Sequence, residues 1–146
     1  MDISTWTGIP GLATQPYAYP LLEVLHLVGV ALLVGNLALL ELRVWGRGAD
    51  LPVAALARLA LGLSLAGFAL LVLSGLLLFA AAPAEMLANR AFLIKLGLIA
   101  AAGVNAGVFH RRGGLMRLDR VARAQTLLSL GLWHGVMICG RWIAYS

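Results

Sequence analysis

Hydrophobic residues run through this chain in four long blocks, separated by short polar stretches. Leu21 to Leu40 holds one acid, one histidine and one asparagine, and is otherwise apolar or glycine. Leu59 to Ala82 has no charged residue. Ala91 to Phe109 has only Lys95, and Ala124 to Gly140 has no Asp, Glu, Lys or Arg. Each block is about 17–25 residues, the length a helix needs to cross a hydrocarbon core of about 30 Å. The pattern predicts four spans, over about 21–45, 55–82, 88–110 and 121–143. The expected fold is all-α: one transmembrane domain over 1–146, arranged as an up-down four-helix bundle. Short connections between antiparallel neighbours favour that arrangement.

Composition strengthens this reading. The hydrophobic fraction is 62% and the charged fraction 12%, against about 45–50% and about 25% for an average soluble domain. Too few polar residues remain to cover four buried helices in water, so the lipid bilayer is the expected partner. The first twenty residues carry Asp2 and no Lys or Arg. That is unlike a secretory leader, which needs a basic start. This Gly-, Pro- and aromatic-containing segment is expected to lie at the membrane surface.

The net charge of +5 is explained by topology, and no nucleic-acid partner is implied. Arg43, Arg47, Arg58, Arg111, Arg112, Arg117, Arg120 and Arg123 fall in or beside the two connections on one side. The other side receives only Arg90, Lys95 and Arg141. The positive-inside rule then puts both termini outside. In a Gram-negative bacterium the chain is multi-pass in the inner membrane, with periplasmic termini. Tyr17, Tyr19, Trp142 and Tyr145 fall at the outer interface and Trp45 at the inner one. Gly46 to Pro52 and Pro83 to Asn89 read as tight turns, the second because Pro83 ends a helix. Gly103 with Gly107, Gly131 with Gly135, and the group Gly67, Ser74 and Gly75 mark expected close approaches of helices.

Polar residues at membrane depth are costly and each is a candidate for function. His26 lies roughly 9 Å inward from Pro20 at 1.5 Å per residue, and His134 roughly 11 Å inward from Arg141. Both distances run from the outer side, so the two imidazoles are expected at nearly one depth. Two histidines on facing helices suit a b-type haem, one on each side of the iron. Gly29 and Gly131, each near one histidine, would leave room for the haem plane. Arg90, Lys95 and Arg141 would meet its propionates. The implied role is electron transfer with a membrane or periplasmic redox partner, in a binding protein more than a stand-alone enzyme.

Alternatives stay open. The histidines could simply hydrogen-bond to Glu23, Asn36 or a backbone carbonyl, leaving a non-redox scaffold or a subunit of a larger complex. His134, Met137 and Cys139 also offer imidazole, thioether and thiolate to copper, with Met137 the one that shares a face with His134. His110 ends the third block beside Arg111 and Arg112, on the inner side. No P-loop, HExxH, serine elbow or carboxylate pair is present, so no catalytic residue is assigned.

Several stretches together resemble a bacterial four-helix integral membrane family of unknown function. They are Glu23-x-x-His26-x-x-Gly29, Ser74 to Phe79, then Asn89, Phe92 and Lys95, Asn105 to His110, and Gly140 to Tyr145. The resemblance covers nearly the whole chain and implies the fold without an activity. It includes the early histidine, Asn105 and His110, and does not include His134. More distantly, histidines in a small bundle are similar to CopD-like copper-resistance membrane domains and to four-helix b-type cytochromes, an analogy of architecture.

Overall fold

A computed structural model describes residues 8, 9, 11, 12 and 14–146. Among them there are helices and connections but no strand. Four helices are long: α1 (Ala18–Val44), α2 (Val53–Ala81), α4 (Arg90–Arg111) and α6 (Arg120–Ile143). Two are short: α3 (Pro83–Ala88) and α5 (Gly114–Arg117). Three of them, α1, α2 and α4, are long and apolar enough to cross a membrane. α6 is long enough but carries Arg120, Arg123, Gln125, Thr126, Ser129 and His134 in its first half or centre, which dilutes its apolar character. The expected surface segment falls in part, at residues 1–7, 10 and 13, outside the described part of the chain.

Burial is reversed relative to a water-soluble domain. Large aliphatics face outward: Leu65 is 70% exposed, Val104 68% and Leu59 66%. The buried positions are mostly small: Ala60, Ser64, Gly67, Ser74, Ala102 and Ala122. In lipid there is no hydrophobic gain from hiding leucine, so helices associate where small residues let their backbones come close. This distribution identifies a membrane protein.

α1 packs along α2, and α4 packs along α6, with a lesser contact between α1 and α6. The α1–α2 seam is closest at two glycines. A Cβ on Gly67 would stand 2.7 Å from Leu32 Cβ and 2.8 Å from the Leu33 nitrogen. One on Gly29 would stand 2.9 Å from the Gly67 carbonyl oxygen and from Leu71 Cγ. Other glycines behave differently from expectation. Gly103, Gly107 and Gly131 have nothing within 4 Å of where a Cβ would go. The Gly103–Gly107 step therefore joins no other helix among the described residues. Gly135 does make a contact, with Leu98.

The connections are built by hydrogen bonds rather than by bare turns. Pro83 does end α2, but it also starts α3, because a proline suits the first helical position. The stretch expected as a tight turn is thus a short helix closed by Asn89. The Asn89 side chain accepts from the amides of Ala91 and Phe92 at 2.9 and 3.3 Å, capping α4. Its Nδ2 donates to Ser146 Oγ at 2.9 Å, tying the end of the chain to the start of α4. Phe79 stacks on Phe92 with centroids 5.8 Å apart, linking α2 to α4. The amide of Ile9 donates to the Ala80 carbonyl at 2.9 Å, filling one of the acceptors that a helix leaves open at its C-terminus.

At the opposite, arginine-rich end, Trp45 Nε1 donates to Thr126 Oγ1 at 2.9 Å, with Arg123 over the indole face. Asp119 caps α6 by accepting from the Ala122 amide at 2.8 Å. It also pairs with Arg112 at 3.2 Å.

Gly67→Ala is expected to destabilise the chain by about 1–3 kcal/mol, the usual range for overpacking. Gly103→Ala, with open space around it, is expected to be neutral or stabilising, since alanine is the better helix former. Thermal unfolding of the two variants in detergent checks the contrast.

The Ala122 amide bond lowers the Asp119 pKa first, and then Arg112 and Arg117 add to the effect. A lowered folded value means the cap's contribution is present above the ordinary carboxylate range. It is lost as pH falls through the folded value. Amide-exchange protection in the first turn of α6 is expected to drop only at strongly acidic pH. Asp119→Asn keeps a cap acceptor and should remove that acid step, while Asp119→Ala should lose the protection at every pH.

Candidate functional site

The three histidines have separate surroundings. His26 is half-buried on α1 and faces α2. Its Nδ1 lies 2.9 Å from Ser74 Oγ. The Ser74 hydroxyl donates to the Leu70 carbonyl at 2.6 Å, as serines inside helices often do. Its one proton is therefore committed, and the bond with His26 must use a proton on Nδ1. Neutral His26 is consequently the Nδ1–H tautomer, with a lone pair on Nε2. Gly75 leaves the space into which the imidazole fits, its Cβ position being 3.4 Å from His26 Cε1.

His134 reaches the same protonation pattern by a different route. Its Nδ1 lies 2.7 Å from the Leu130 carbonyl, one turn back on α6. A carbonyl only accepts, so Nδ1 carries the proton and Nε2 is again the base. The side chain is exposed on α6. His26 is thus packed against α2, whereas His134 lies on the exposed side of α6.

The residues expected around them divide in the same way. Gly29 does not leave room for a plane beside His26, because the α2 backbone and Leu71 fill that space. Gly131 is open and lies on the exposed side of α6 with His134. Lys95 is half-buried and sends Nζ toward Gly140, 3.4 Å from that glycine's Cβ position. Arg90 is exposed and lines an open groove between α4 and α6 with Cys139 and Trp142. Arg141 donates to Tyr145 Oη at 2.6 Å and stacks on its ring. Lys95, Arg90 and Arg141 thus share the end of the molecule where α1 begins and α6 ends. Glu23 is exposed there, and Met137 is half-buried on α6.

A second polar group, at the arginine-rich end, is less evident from the sequence. Glu41, Asn105, His110, Gln125, Thr126 and Ser129 line a cleft of about 60 Å³. Asn105 is buried, and its Nδ2 donates to the Gln125 backbone carbonyl at 2.9 Å. Ser129 lines the cleft together with Glu41. His110 sits at the mouth, edge-on to Phe109 at 5.4 Å. Asn105 and His110 are sequence candidates that fall here, away from His26. Glu41 and Ser129 come from helices far apart in sequence, so only their shared depth could have paired them.

Among the described residues no three of His, Cys, Asp and Glu gather into one group. Comparison of the chain with family models, curated proteins and solved structures returned no match.

The tautomer of His26 is directly measurable. In detergent at neutral pH, ¹⁵N spectra of histidine-labelled protein are expected to show a protonated Nδ1 and an unprotonated Nε2 at His26. Ser74→Ala should shift the Nδ1 resonance and leave His134 unchanged. An Nε2–H tautomer at His26 would contradict the assignment.

Proposed function

We propose that the chain is a four-span protein of the bacterial inner membrane, with both termini outside, that carries b-type haem for electron transfer. In this reading His26 would anchor the group and His134 would be its second holder. The observation that carries it is the state of the imidazoles. Each Nδ1–H is held by an acceptor in the protein, and each Nε2 is left as a base. Metal-ligating histidines are ordinarily held so, with the second ring nitrogen donating to a carbonyl or another acceptor that orients the ring. Ser74 supplies that orientation to His26.

Such a group, when bound, would supply one-electron redox chemistry. The chain's own residues bind it, shield it and set its charge environment. Lys95, Arg90 and Arg141 lie at the terminal end and supply positive charge for propionates, with Lys95 nearest to His26. The seam between the α1–α2 pair and the α4–α6 pair is the place for a flat group. The contacts named between α1 and α6 all lie at the other end, at Trp45 and Glu41.

The exposed position of His134 favours a second reading. An imidazole on the outer face of a helix in lipid is costly. Cover by another subunit would remove that cost, making the chain a non-redox scaffold in a larger membrane assembly. Copper held by His134 and Met137 is the remaining possibility, and metal analysis addresses it.

Purified protein is expected to show a Soret band that sharpens on dithionite reduction, with iron in the same sample. His26→Ala should abolish the band. His134→Ala should convert a six-coordinate spectrum to a five-coordinate one or remove it. A colourless, iron-free preparation that stays so after haem supplementation favours the scaffold. Copper at one equivalent, lost in His134→Ala, favours the copper reading.

A further inference from the structure

Glu41 stands one turn inside the arginine-rich end of α1, half-buried, with no cation bonded to it. Among the described residues the one ion pair is Arg112 with Asp119. The cations nearest in the fold are otherwise engaged. Arg43, on the same helix, donates to the carbonyls of Leu51 and Ala49. Arg112 donates to Gln125 Oε1 and Asp119. Arg123 lies over the Trp45 ring. α2 and α5 present only Leu61 and Leu115 to the cleft. Besides Glu41, the titratable group lining it is His110 on α4.

What faces the carboxylate is rich in oxygen acceptors. The Asn105 amide spends its Nδ2 on the Gln125 carbonyl, leaving Oδ1 for the cleft that Asn105 lines. The Thr126 hydroxyl donates its proton away, to the Arg123 carbonyl at 2.7 Å. Ser129 completes the set that lines the cleft with Glu41. Carboxylate, amide and hydroxyl oxygens are hard donors that suit hard cations. One carboxylate offers a single negative charge, and a low-dielectric site disfavours any net charge that is left over. A cleft of about 60 Å³ has room for a small ion with a few waters, each needing about 10–15 Å³.

We propose that this cleft is a binding site for one monovalent cation, sodium or a proton, with Glu41 as the charged ligand and Asn105 and Ser129 as neutral ones. The site is independent of the haem reading, since its residues and His26 share no contact named above. Entry is from the arginine-rich end, past His110.

The test is thermal unfolding of the full-length protein in detergent, in sodium, potassium or choline chloride at one ionic strength, at pH 8 and pH 6. If sodium is the ion, the midpoint at pH 8 is higher in sodium than in choline by roughly 3 °C or more, and the gap narrows at pH 6. If a proton is the ion, salt identity has no effect and the midpoint rises from pH 8 to pH 6. In both cases Glu41→Gln removes the response, and the exposed Glu23→Gln retains it. Asn105→Ala and Ser129→Ala, which keep the carboxylate, weaken the response and serve if Glu41→Gln fails to fold. A wild-type protein indifferent to both salt and pH overturns the proposal. So does a response that Glu41→Gln leaves intact, which would point to the histidines instead.

Discussion

The approach of α1 to α2 at Gly29 and Gly67 is the constraint on which the rest depends. It brings two helix backbones within van der Waals reach, where a methyl group on either side would collide with the other. Lipid gives leucine no reason to leave it, so this closeness substitutes for the hydrophobic drive of a soluble core. Once the two helices are fixed there, the register between them follows. His26 must meet Ser74 and Gly75, and Leu40 must meet Ala57 and Ala60. The polarity of the imidazole is thus settled by a contact made of glycine.

The two candidate sites differ in what holds them. At the terminal end, His26 is oriented by a serine whose own proton is already committed, so the ring has little freedom in how it presents Nε2. At the arginine-rich end, the polar side chains that line the cleft with Glu41 come from α4 and α6, and Asn105 and Thr126 spend a donor elsewhere. Ser64 adds a reminder that satisfaction is incomplete. It is 4% exposed, and its hydroxyl has no hydrogen-bond partner among the described residues.

Much of the helical organisation was legible from the apolar blocks, because crossing a bilayer demands length and apolarity together. The membrane-protein reading holds for α1, α2 and α4 directly. Which small residues join helices was less legible. Gly67, Ser74 and Gly75 are at a seam, but Gly103, Gly107 and Gly131 are not, and GxxxG spacing is the same in both settings. The depth argument for His26 and His134 counts residues from helix ends. It does not register helix tilt or the face on which each side chain emerges. That is why Gly29 turned out to be filled by α2. Glu41 lies just past the first apolar block, and a lone sequence shows neither Asn105 nor Ser129 opposite it.

The pairing of helices also has a consequence for how the chain is made. α1 and α2 are neighbours in sequence, and so are α4 and α6 apart from the single turn of α5. Each pair can enter the bilayer as a hairpin whose closest contacts are already local. Assembly then reduces to docking two finished halves through α1 with α6 and the Phe79–Phe92 stack. The seam that closes last is the one beside which both polar sites lie.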